Sequence, residues 1–294
     1  MRKLSVALLL LLLTACVSPP RPVPERSPLA LPERNRRYMP IVIVDRLSLG
    51  KGAATTWTNV YDGCQDARAV GAAWLYDWSP QPPPCDGILS VPMQWGRFDV
   101  KSCPALGPGR LAFGFNEPDR PDQANITPER AAELWHRLTV ECYPERLWAT
   151  PAVYLSATYD GLPWLSAWWN SYVTLYGQAP RADYLAVHCF TWTSANACVS
   201  RLTAALAWAQ AHGGPDVLVS EWAVLPGAIG EAAALREAAT LRAWLDAQPA
   251  IVGYAWTSTR IEGGEAWWFG RQNNTGLVDF ATGQLTAWGA WYAK

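Results

Sequence analysis

The residue pattern that most restricts the fold begins near position 41, where short β-branched or aromatic runs alternate with longer alanine- and leucine-rich stretches. Such alternation is typical of βα units, whose parallel strands are joined by helices. The length available is about the 250 residues of one closed barrel. The sequence therefore predicts an α/β fold, a single-domain (β/α)8 or TIM barrel over residues 41–294. Its strands are expected at 47–51, 72–76, 88–93, 111–115, 146–150, 184–189, 217–221 and 251–256.

Helix signals are clearest in the second half of the chain, and we expect a helix after each strand. Thr127 is a suitable N-cap for a helix that starts at Pro128. The stretch 231–248 is an uninterrupted run of helix formers, and 201–212 fits a helix that ends at Gly213. In barrels of this kind the active site lies at the C-terminal ends of the strands.

Two of the predicted strands end in a glutamate. LAFGFNEPDRPD places Asn116 and Glu117 behind one apolar run, and DVLVSEW places Glu221 at the end of another. Cleavage of a glycosidic bond needs one acid to protonate the leaving oxygen and a second carboxylate to attack or to activate water. A buried or capping glutamate is the alternative, but such a charge needs a partner. We expect Glu117 and Glu221 to be catalytic; these residues alone leave retention and inversion open, because the outcome depends on the carboxyl separation.

The predicted strand ends are also rich in aromatic residues, in a chain with 18 tryptophans. Indole rings stack on the apolar C–H faces of sugars, so aromatic residues at a barrel mouth indicate a saccharide cleft. Packing in the core is the alternative, and we assign the tryptophans of the helices to it. A histidine at the same edge could bond a sugar or Glu221. The expected cleft residues are Tyr76, Trp78, Trp95, His188, Phe190, Trp192, Trp222 and Trp256.

The N-terminus has the pattern of a bacterial lipoprotein. Residues 1–15 carry two basic residues and then an apolar run that is too short to span a bilayer, which is typical of a signal peptide. LTAC at 13–16 resembles a lipobox with Cys16 as the lipidated residue; an ordinary signal peptide is the alternative. Residues 16–40 are proline-rich and should form a semi-rigid tether. We therefore expect an exported protein that is anchored to a membrane of the cell envelope or surface.

Cysteine usage and charge limit the partners of the domain. Of seven cysteines, six follow Cys16, which allows three disulfides in an exported protein. The pair Cys189 and Cys198 would close a short loop and is the best local candidate. A metal site is the alternative, but the chain has no C-x-x-C pair, and we expect no metal and no cofactor. The net charge of −1 gives no reason to expect nucleic acid or anionic lipid. We expect a monomer that meets the membrane only through its lipid and binds a polysaccharide or oligosaccharide.

An ordered series of motifs runs along nearly the whole domain: WLYDW at 74–78, VPMQWG at 91–96, GFNEPD at 114–119, QANITP at 123–128, TPA at 150–152, AVHCF at 186–190, VSEW at 219–222 and YAW at 254–256. This series resembles glycoside hydrolase family 128, whose members are clan A (β/α)8 barrels that act on β-1,3-glucans. The resemblance implies that Glu117 is the general acid/base, that Glu221 is the nucleophile and that Asn116 contacts the sugar 2-hydroxyl. It also implies a retaining outcome.

The sequence departs from the family pattern near the expected cleft. Ser220 and Trp222 flank Glu221 where the family usually has threonine and phenylalanine, and Cys189 and Phe190 stand where a tyrosine-like residue usually follows the histidine. These changes affect the sugar subsites and leave the glutamate pair intact. We expect an endo-β-1,3-glucanase. The alternatives are a non-catalytic glycan-binding lipoprotein on the same barrel, and a glycosidase for another β-glucan or an envelope glycan.

Overall fold

The computed structural model describes residues 47–56, 62–261 and 274–294. The predicted signal peptide, Cys16 and the proline-rich tether lie outside these residues. Leu47–Lys294 form one compact unit. Among the helices of the described ranges, none combines the length and the apolar character needed to cross a bilayer.

Parallel strands form a closed barrel. The strands are β1 (Gly50–Ala54), β2 (Trp74–Tyr76), β3 (Leu89–Ser90), β4 (Leu111–Phe113), β5 (Leu147–Ala149), β6 (Val153–Ser156), β7 (Tyr184–Thr191), β8 (Asp216–Val224) and β9 (Ile251–Trp256). The hydrogen-bonded order is β3-β2-β1-β9-β8-β7-β5-β4, and a parallel bridge from Met93, just after β3, to Phe113 in β4 closes the ring. β6 pairs with β7 and follows β5 after three residues, so β5 and β6 are two halves of one barrel position.

The predicted barrel is confirmed, with strand boundaries that differ in places. The strand expected at 251–256 is β9 with the same bounds, whereas the first strand lies three residues beyond its predicted start. β6 was not predicted, because Pro151 breaks the backbone ladder directly before it.

The helices lie outside the barrel. The predicted start after Thr127 is confirmed, since the Thr127 hydroxyl accepts from the Arg130 amide at 3.4 Å. The helix that starts there continues into a π-helical segment, Arg137–Cys142, and a 3₁₀ turn, Pro226–Ala228, precedes the helix at Glu231–Asp246. The helices are α1 (Gly63–Ala69), α2 (Pro128–His136), α3 (Leu162–Tyr176), α4 (Ala195–Ala211), α5 (Glu231–Asp246) and α6 (Ala287–Tyr292).

The expectation of a helix after every strand is wrong at two positions. Residues 77–88, after β2, and 91–110, after β3, are fully described and contain no helix. Both segments are rich in proline, which removes backbone donors and prevents helix propagation. Disulfides attach them to helical segments instead, through Cys64–Cys85 and Cys103–Cys142. The predicted pair Cys189–Cys198 is confirmed and joins β7 to α4.

Aromatic side chains fill the interior of the barrel below its mouth. Trp74 and Tyr76 of β2 make edge-to-face contacts with Phe113 of β4, with ring centroids 5.7 and 5.0 Å apart. The Trp74 indole lies over Gly52 of β1, where an added Cβ would come within 2.2 Å of the ring. Glycine at this position is therefore a packing requirement, and the filled interior supports the side chains at the mouth.

Candidate active site

Backbone contacts from two neighbouring segments fix Glu117 at the end of β4. The Asn116 amide donates to the Trp95 carbonyl at 2.9 Å, and the Glu117 amide donates to the Ala152 carbonyl at 2.8 Å. Glu117 has a φ of +41°, a left-handed conformation that costs free energy in a non-glycine residue. The two hydrogen bonds hold this conformation, and the residue is only 7% exposed. The sequence motif thus places a nearly buried acid at the barrel mouth.

A bulge in β8 sets the direction of Glu221. Val219 pairs with Val187 of β7, but the next pair is Glu221 with His188, so Ser220 is an extra residue on β8. Two side chains from β2 and the residues after it reach Glu221 across the barrel. Tyr76 Oη and Trp78 Nε1 donate to Glu221 Oε1 at 3.0 and 2.8 Å.

His188 lies between the two carboxylates and is fully buried. Its Nδ1 is 2.7 Å from Glu117 Oε1, and its Nε2 is 3.5 Å from Glu221 Oε1 without forming a hydrogen bond. One ligand atom of each of these three residues lies within 4.8 Å of the others. Burial lowers the pKa of His188, so a neutral imidazole separates the two carboxyl groups at neutral pH.

The surroundings of the two glutamates differ in a way that favours different protonation states. Burial raises the pKa of Glu117 to about 8, an effect that Arg120 opposes. Burial also raises the pKa of Glu221, but the hydrogen bonds from Trp78 and Tyr76 oppose that increase. Two donors aimed at one carboxylate stabilise its ionised form. Glu117 is therefore suited to hold a proton and Glu221 to accept hydrogen bonds as a carboxylate.

The side chains of these three residues also offer the oxygen and nitrogen atoms that could bind a metal ion. His188 Nδ1 and Glu117 Oε1 already share a hydrogen bond, and Glu221 Oε1 already accepts two. A cation would have to replace these hydrogen bonds. The donor set fits a hydrogen-bonded acid and carboxylate better than a metal centre.

Aromatic residues at the mouth divide into exposed and buried groups. Trp95 is 38% exposed, and Trp78 and Trp192 are partly exposed near the C-terminal ends of the strands. Phe190 is buried and stacks on Tyr154 with ring centroids 5.8 Å apart. Trp78, Trp95 and Trp192 therefore offer ring surface to a ligand. Tyr76, His188 and Phe190 are buried: Tyr76 bonds to Glu221, His188 bonds to Glu117, and Phe190 packs in the wall of the mouth. Their contact with sugar stays a prediction.

The prediction that Trp222 and Trp256 line the cleft is wrong. Both are completely buried on the outer side of the barrel, and both pack against Trp291 of α6. Successive side chains of a strand point to opposite faces. Since Glu221 points into the barrel, Trp222 must point outward, as does its register partner Cys189, which bonds to α4. The period of two was visible in the sequence and could have excluded Trp222.

Three residues of the site were not identified from the sequence. Gln123 Oε1 accepts from Asn116 Nδ2 at 3.2 Å, while Asn116 Oδ1 has no hydrogen-bond partner among the described residues. Arg120 lies beside Glu117, and the Tyr154 ring lies against the Arg120 guanidinium. Gln123 belongs to the QANITP motif, which was a usable signal. No sequence pattern pointed to Arg120, since its contacts depend on how its loop folds and on Tyr154 of β6.

The chain is similar to known glycoside hydrolases over most of its length. The family model described as glycosyl hydrolase catalytic core matches residues 52–292. One similar solved structure is a curdlan-specific exo-β-1,3-glucanase of glycoside hydrolase family 128 from Blastomyces gilchristii, with 24% identity, 85% of this chain and 99% of that chain covered, and a TM-score of 0.64.

Bacterial members of family 128 are similar as well. An endo-β-1,3-glucanase from Pseudomonas viridiflava has 24% identity, with 84% and 98% of the two chains covered and a TM-score of 0.63. An endo-β-1,3-glucanase from Amycolatopsis mediterranei in complex with laminaritriose has 22% identity, with 83% and 98% covered and a TM-score of 0.59. At these identities the likeness shows a shared fold. Among curated proteins, none matches the chain.

Proposed function

The chain belongs to the glycosyl hydrolase catalytic core family, and we propose that it is a retaining endo-β-1,3-glucanase with Glu117 as general acid/base and Glu221 as nucleophile. The observation that carries this proposal is the close pair of buried carboxyl groups, one just after β4 and one in the C-terminal half of β8. An oxygen of Glu117 lies within 4.8 Å of an oxygen of Glu221. Retaining enzymes hold their carboxyl groups about 5 to 5.5 Å apart, and inverting enzymes leave room for a water between them. The short separation supports retention.

In the first half of the reaction, Glu117 donates its proton to the glycosidic oxygen while Glu221 attacks the anomeric carbon. The bond to the leaving sugar breaks, and a covalent glycosyl ester forms on Glu221. Tyr76 and Trp78 both donate to Oε1 of Glu221, which leaves Oε2 for the attack. The pKa of Tyr76 is raised by burial and by Glu221, so its hydroxyl remains a donor throughout.

In the second half, Glu117 is ionised and takes a proton from a water that attacks the same anomeric carbon. The ester to Glu221 breaks, and the sugar leaves with its original configuration. His188 Nδ1 is close enough to Glu117 Oε1 to keep one oxygen of that carboxyl in a hydrogen bond in both states. Oε2 of Glu117 then carries the transferred proton.

The substrate class is inferred from the aromatic mouth and from what similar proteins bind. Trp78, Trp95 and Trp192 offer partly exposed indole rings next to the carboxyl pair, and such rings stack on pyranose faces. The similar structures include one complexed with laminaritriose and one described as curdlan-specific. Both endo and exo enzymes occur among them. We assign endo action to this chain as the mode to be tested by its products.

Product analysis tests this proposal directly. The full-length protein is incubated with laminarin, curdlan, a mixed-linkage glucan and cellulose, with Glu221→Ala as the control. We expect oligosaccharides of several lengths from the β-1,3-glucans and none from the control. Release of glucose alone would refute endo action. No product from any substrate, with laminarin still retarding the protein in an affinity gel, would identify a glycan-binding lipoprotein instead.

We also propose that the protein is exported and tethered by a lipid on Cys16, and that it is a monomer. Three disulfides among the described cysteines are consistent with an oxidising compartment. Labelling of cells with a radioactive fatty acid should mark the wild-type protein and not Cys16→Ser. Equal labelling of both would refute the anchor, and light scattering of the purified protein would test the monomer.

A further inference from the structure

We propose that Arg120 is a positioning residue that holds a fixed positive charge beside Glu117 and thereby keeps the ionised form of Glu117 accessible for the second half of the reaction. The inference rests on the proposed role of Glu117 as general acid/base. Nothing in the motifs singled out Arg120, which follows GFNEPD directly.

Contacts on three sides hold the Arg120 guanidinium in place. Nε and Nη2 donate to the two carboxylate oxygens of Asp122 at 3.1 and 3.0 Å. The guanidinium lies over the rings of Tyr154 and Tyr159, at 4.6 and 5.7 Å from their centroids. Bidentate pairing and stacking restrict an arginine far more than a single surface ion pair does. The head group is therefore ordered although the side chain is 29% exposed.

From this position Arg120 reaches the free side of the Glu117 carboxyl. Its Nε lies 4.0 Å from Glu117 Oε2, while Oε1 on the other side is bonded to His188. Oε2 is the oxygen left to exchange a proton with substrate and water. The cation thus acts on the atom that changes protonation during the reaction.

The other groups around Glu117 do not supply this charge. Among the described residues, Arg120 is the permanent cation that lowers the pKa of Glu117, and the Asp122 carboxylate raises it. His188 is neutral because burial lowers its pKa. The titratable and charged groups that face Glu117 are Asp119, Arg120 and Asp122 from its own loop, Tyr76 from β2, Tyr154 from β6, Tyr159 from the residues after β6, His188 from β7 and Glu221 from β8.

The two halves of the reaction place opposite demands on Glu117. Burial favours its protonated form, which suits the first half, but the same carboxyl must then act as a base. Without Arg120, burial alone would make the ionised form scarcer at neutral pH. The loop after β4 thus supplies both the acid and the positive charge that keeps its ionised form accessible.

A structural role for Arg120 is the competing explanation, because the same contacts brace the loop against Tyr154 and Tyr159. Charge and packing can be separated by substitution. Arg120→Gln removes the charge, Arg120→Lys keeps it without the planar stacking, and Asp122→Asn removes the opposing charge. Arg130→Gln in α2 is the matched control, since Arg130 pairs with Glu133 on the surface and makes no contact with Glu117.

The first readout is the pH dependence of kcat/KM on a laminari-oligosaccharide, whose alkaline limb reports the general acid of the free enzyme. Loss of a cation raises the pKa of a carboxyl, so Arg120→Gln should move this limb upward by about 0.5 to 1 pH unit. Asp122→Asn should move it downward. Arg120→Lys and Arg130→Gln should leave it within about 0.3 unit of the wild type. An equal shift in both Arg120 variants would show that packing, and not charge, matters.

The second readout needs no turnover. Carbon-13 NMR of labelled glutamate carboxyls, with Glu117→Gln to assign the signal, follows the titration of Glu117 itself. A Glu117 signal that titrates at the same pH in Arg120→Gln and in the wild type would overturn the inference, whatever the activity. An inactive wild-type protein whose Glu117 still responds to Arg120 would refute the proposed function and uphold the electrostatic link.

Discussion

The hydrogen bond from Tyr76 to Glu221 allows the nucleophile assignment to be tested by removing a single oxygen atom. Tyr76→Phe removes the hydroxyl that donates to Glu221 Oε1 at 3.0 Å and leaves the buried ring in place. A hydrogen bond to a charged group contributes about 1.5 to 3 kcal/mol. The same hydroxyl also lies 3.1 Å from the Ser220 carbonyl, so its hydrogen bond is shared between Ser220 and Glu221. The lower end of that range corresponds to about one unit in the pKa of Glu221.

The sign of the effect follows from the role of Glu221. The nucleophile must be ionised, and loss of a donor disfavours the ionised form, so the pKa of Glu221 should rise. The acidic limb of kcat/KM should then move upward by about one pH unit, with roughly a tenfold loss of kcat/KM below the limb and a smaller loss on the plateau. The assay is hydrolysis of laminari-oligosaccharides from about pH 4 to pH 9.

Tyr172→Phe provides the matched control for this experiment. Tyr172 is also buried, and its hydroxyl bonds to His136 at 2.9 Å, but the pair lies on α2 and α3 outside the barrel. Its pH profile should match that of the wild type. If Tyr76→Phe shifts only the alkaline limb, or shifts neither limb, then Glu221 does not act as the ionised group and the assignment fails.

Three other predictions concern Glu221, Glu117 and the buried Asp66. Glu221→Ala should be nearly inactive on laminarin but regain turnover with azide and give a product of inverted configuration by NMR; a retained product would contradict the nucleophile role. Glu117→Gln should be more stable than the wild type by on the order of 3 kcal/mol at pH 8. The folded pKa of about 8 lies above the unfolded value of about 4.5, so wild-type stability is full below about pH 4.5, falls as the pH rises from there to about 8, and then levels off. A gap between Glu117→Gln and the wild type that stays constant in urea denaturation between pH 4.5 and 8 would contradict this explanation. Asp66→Asn breaks a buried bidentate pair with Arg260, at 2.7 and 2.8 Å, and should cost about 3 kcal/mol or more, whereas Glu133→Gln at the surface should cost under about 1 kcal/mol. Similar urea midpoints for Asp66→Asn and Glu133→Gln would refute the last prediction.

Local patterns predicted much of the barrel, because strand runs and helix caps act over a few residues. Short apolar and aromatic runs located β9, similar runs followed by or ending in a glutamate located β4 and β8, and Thr127 located the start of α2. The pattern failed where tertiary packing decides. Pro151 interrupts the strand run after β5, so the local pattern did not show that β6 continues the same barrel position.

The candidate site was predicted in its residue types and less well in its contacts. Glu117 and Glu221 come together as the motifs indicated. The bridge by His188 depends on an extra residue at Ser220, which shifts the pairing of β7 with β8 and cannot be read from either strand alone. Trp222 was misplaced because aromatic character was weighed above the alternation of faces, which the sequence contains.

The pairing of β1 with β9 has a consequence for how the protein gains its activity during folding. Gly50 pairs with Gly253 and Gly52 with Ala255, so this seam joins segments that are far apart along the chain. Contacts of this kind form slowly, because a long loop must close before they are made. Tyr76 and Trp78, which hold Glu221, are brought close to β8 through β1 and β9, the two strands that lie between β2 and β8 in the sheet. A partly folded chain in which β1 and β9 are not yet paired would have its secondary structure, but Glu221 would lack the hydrogen bonds that hold it. Activity should therefore recover later than the circular dichroism signal during refolding.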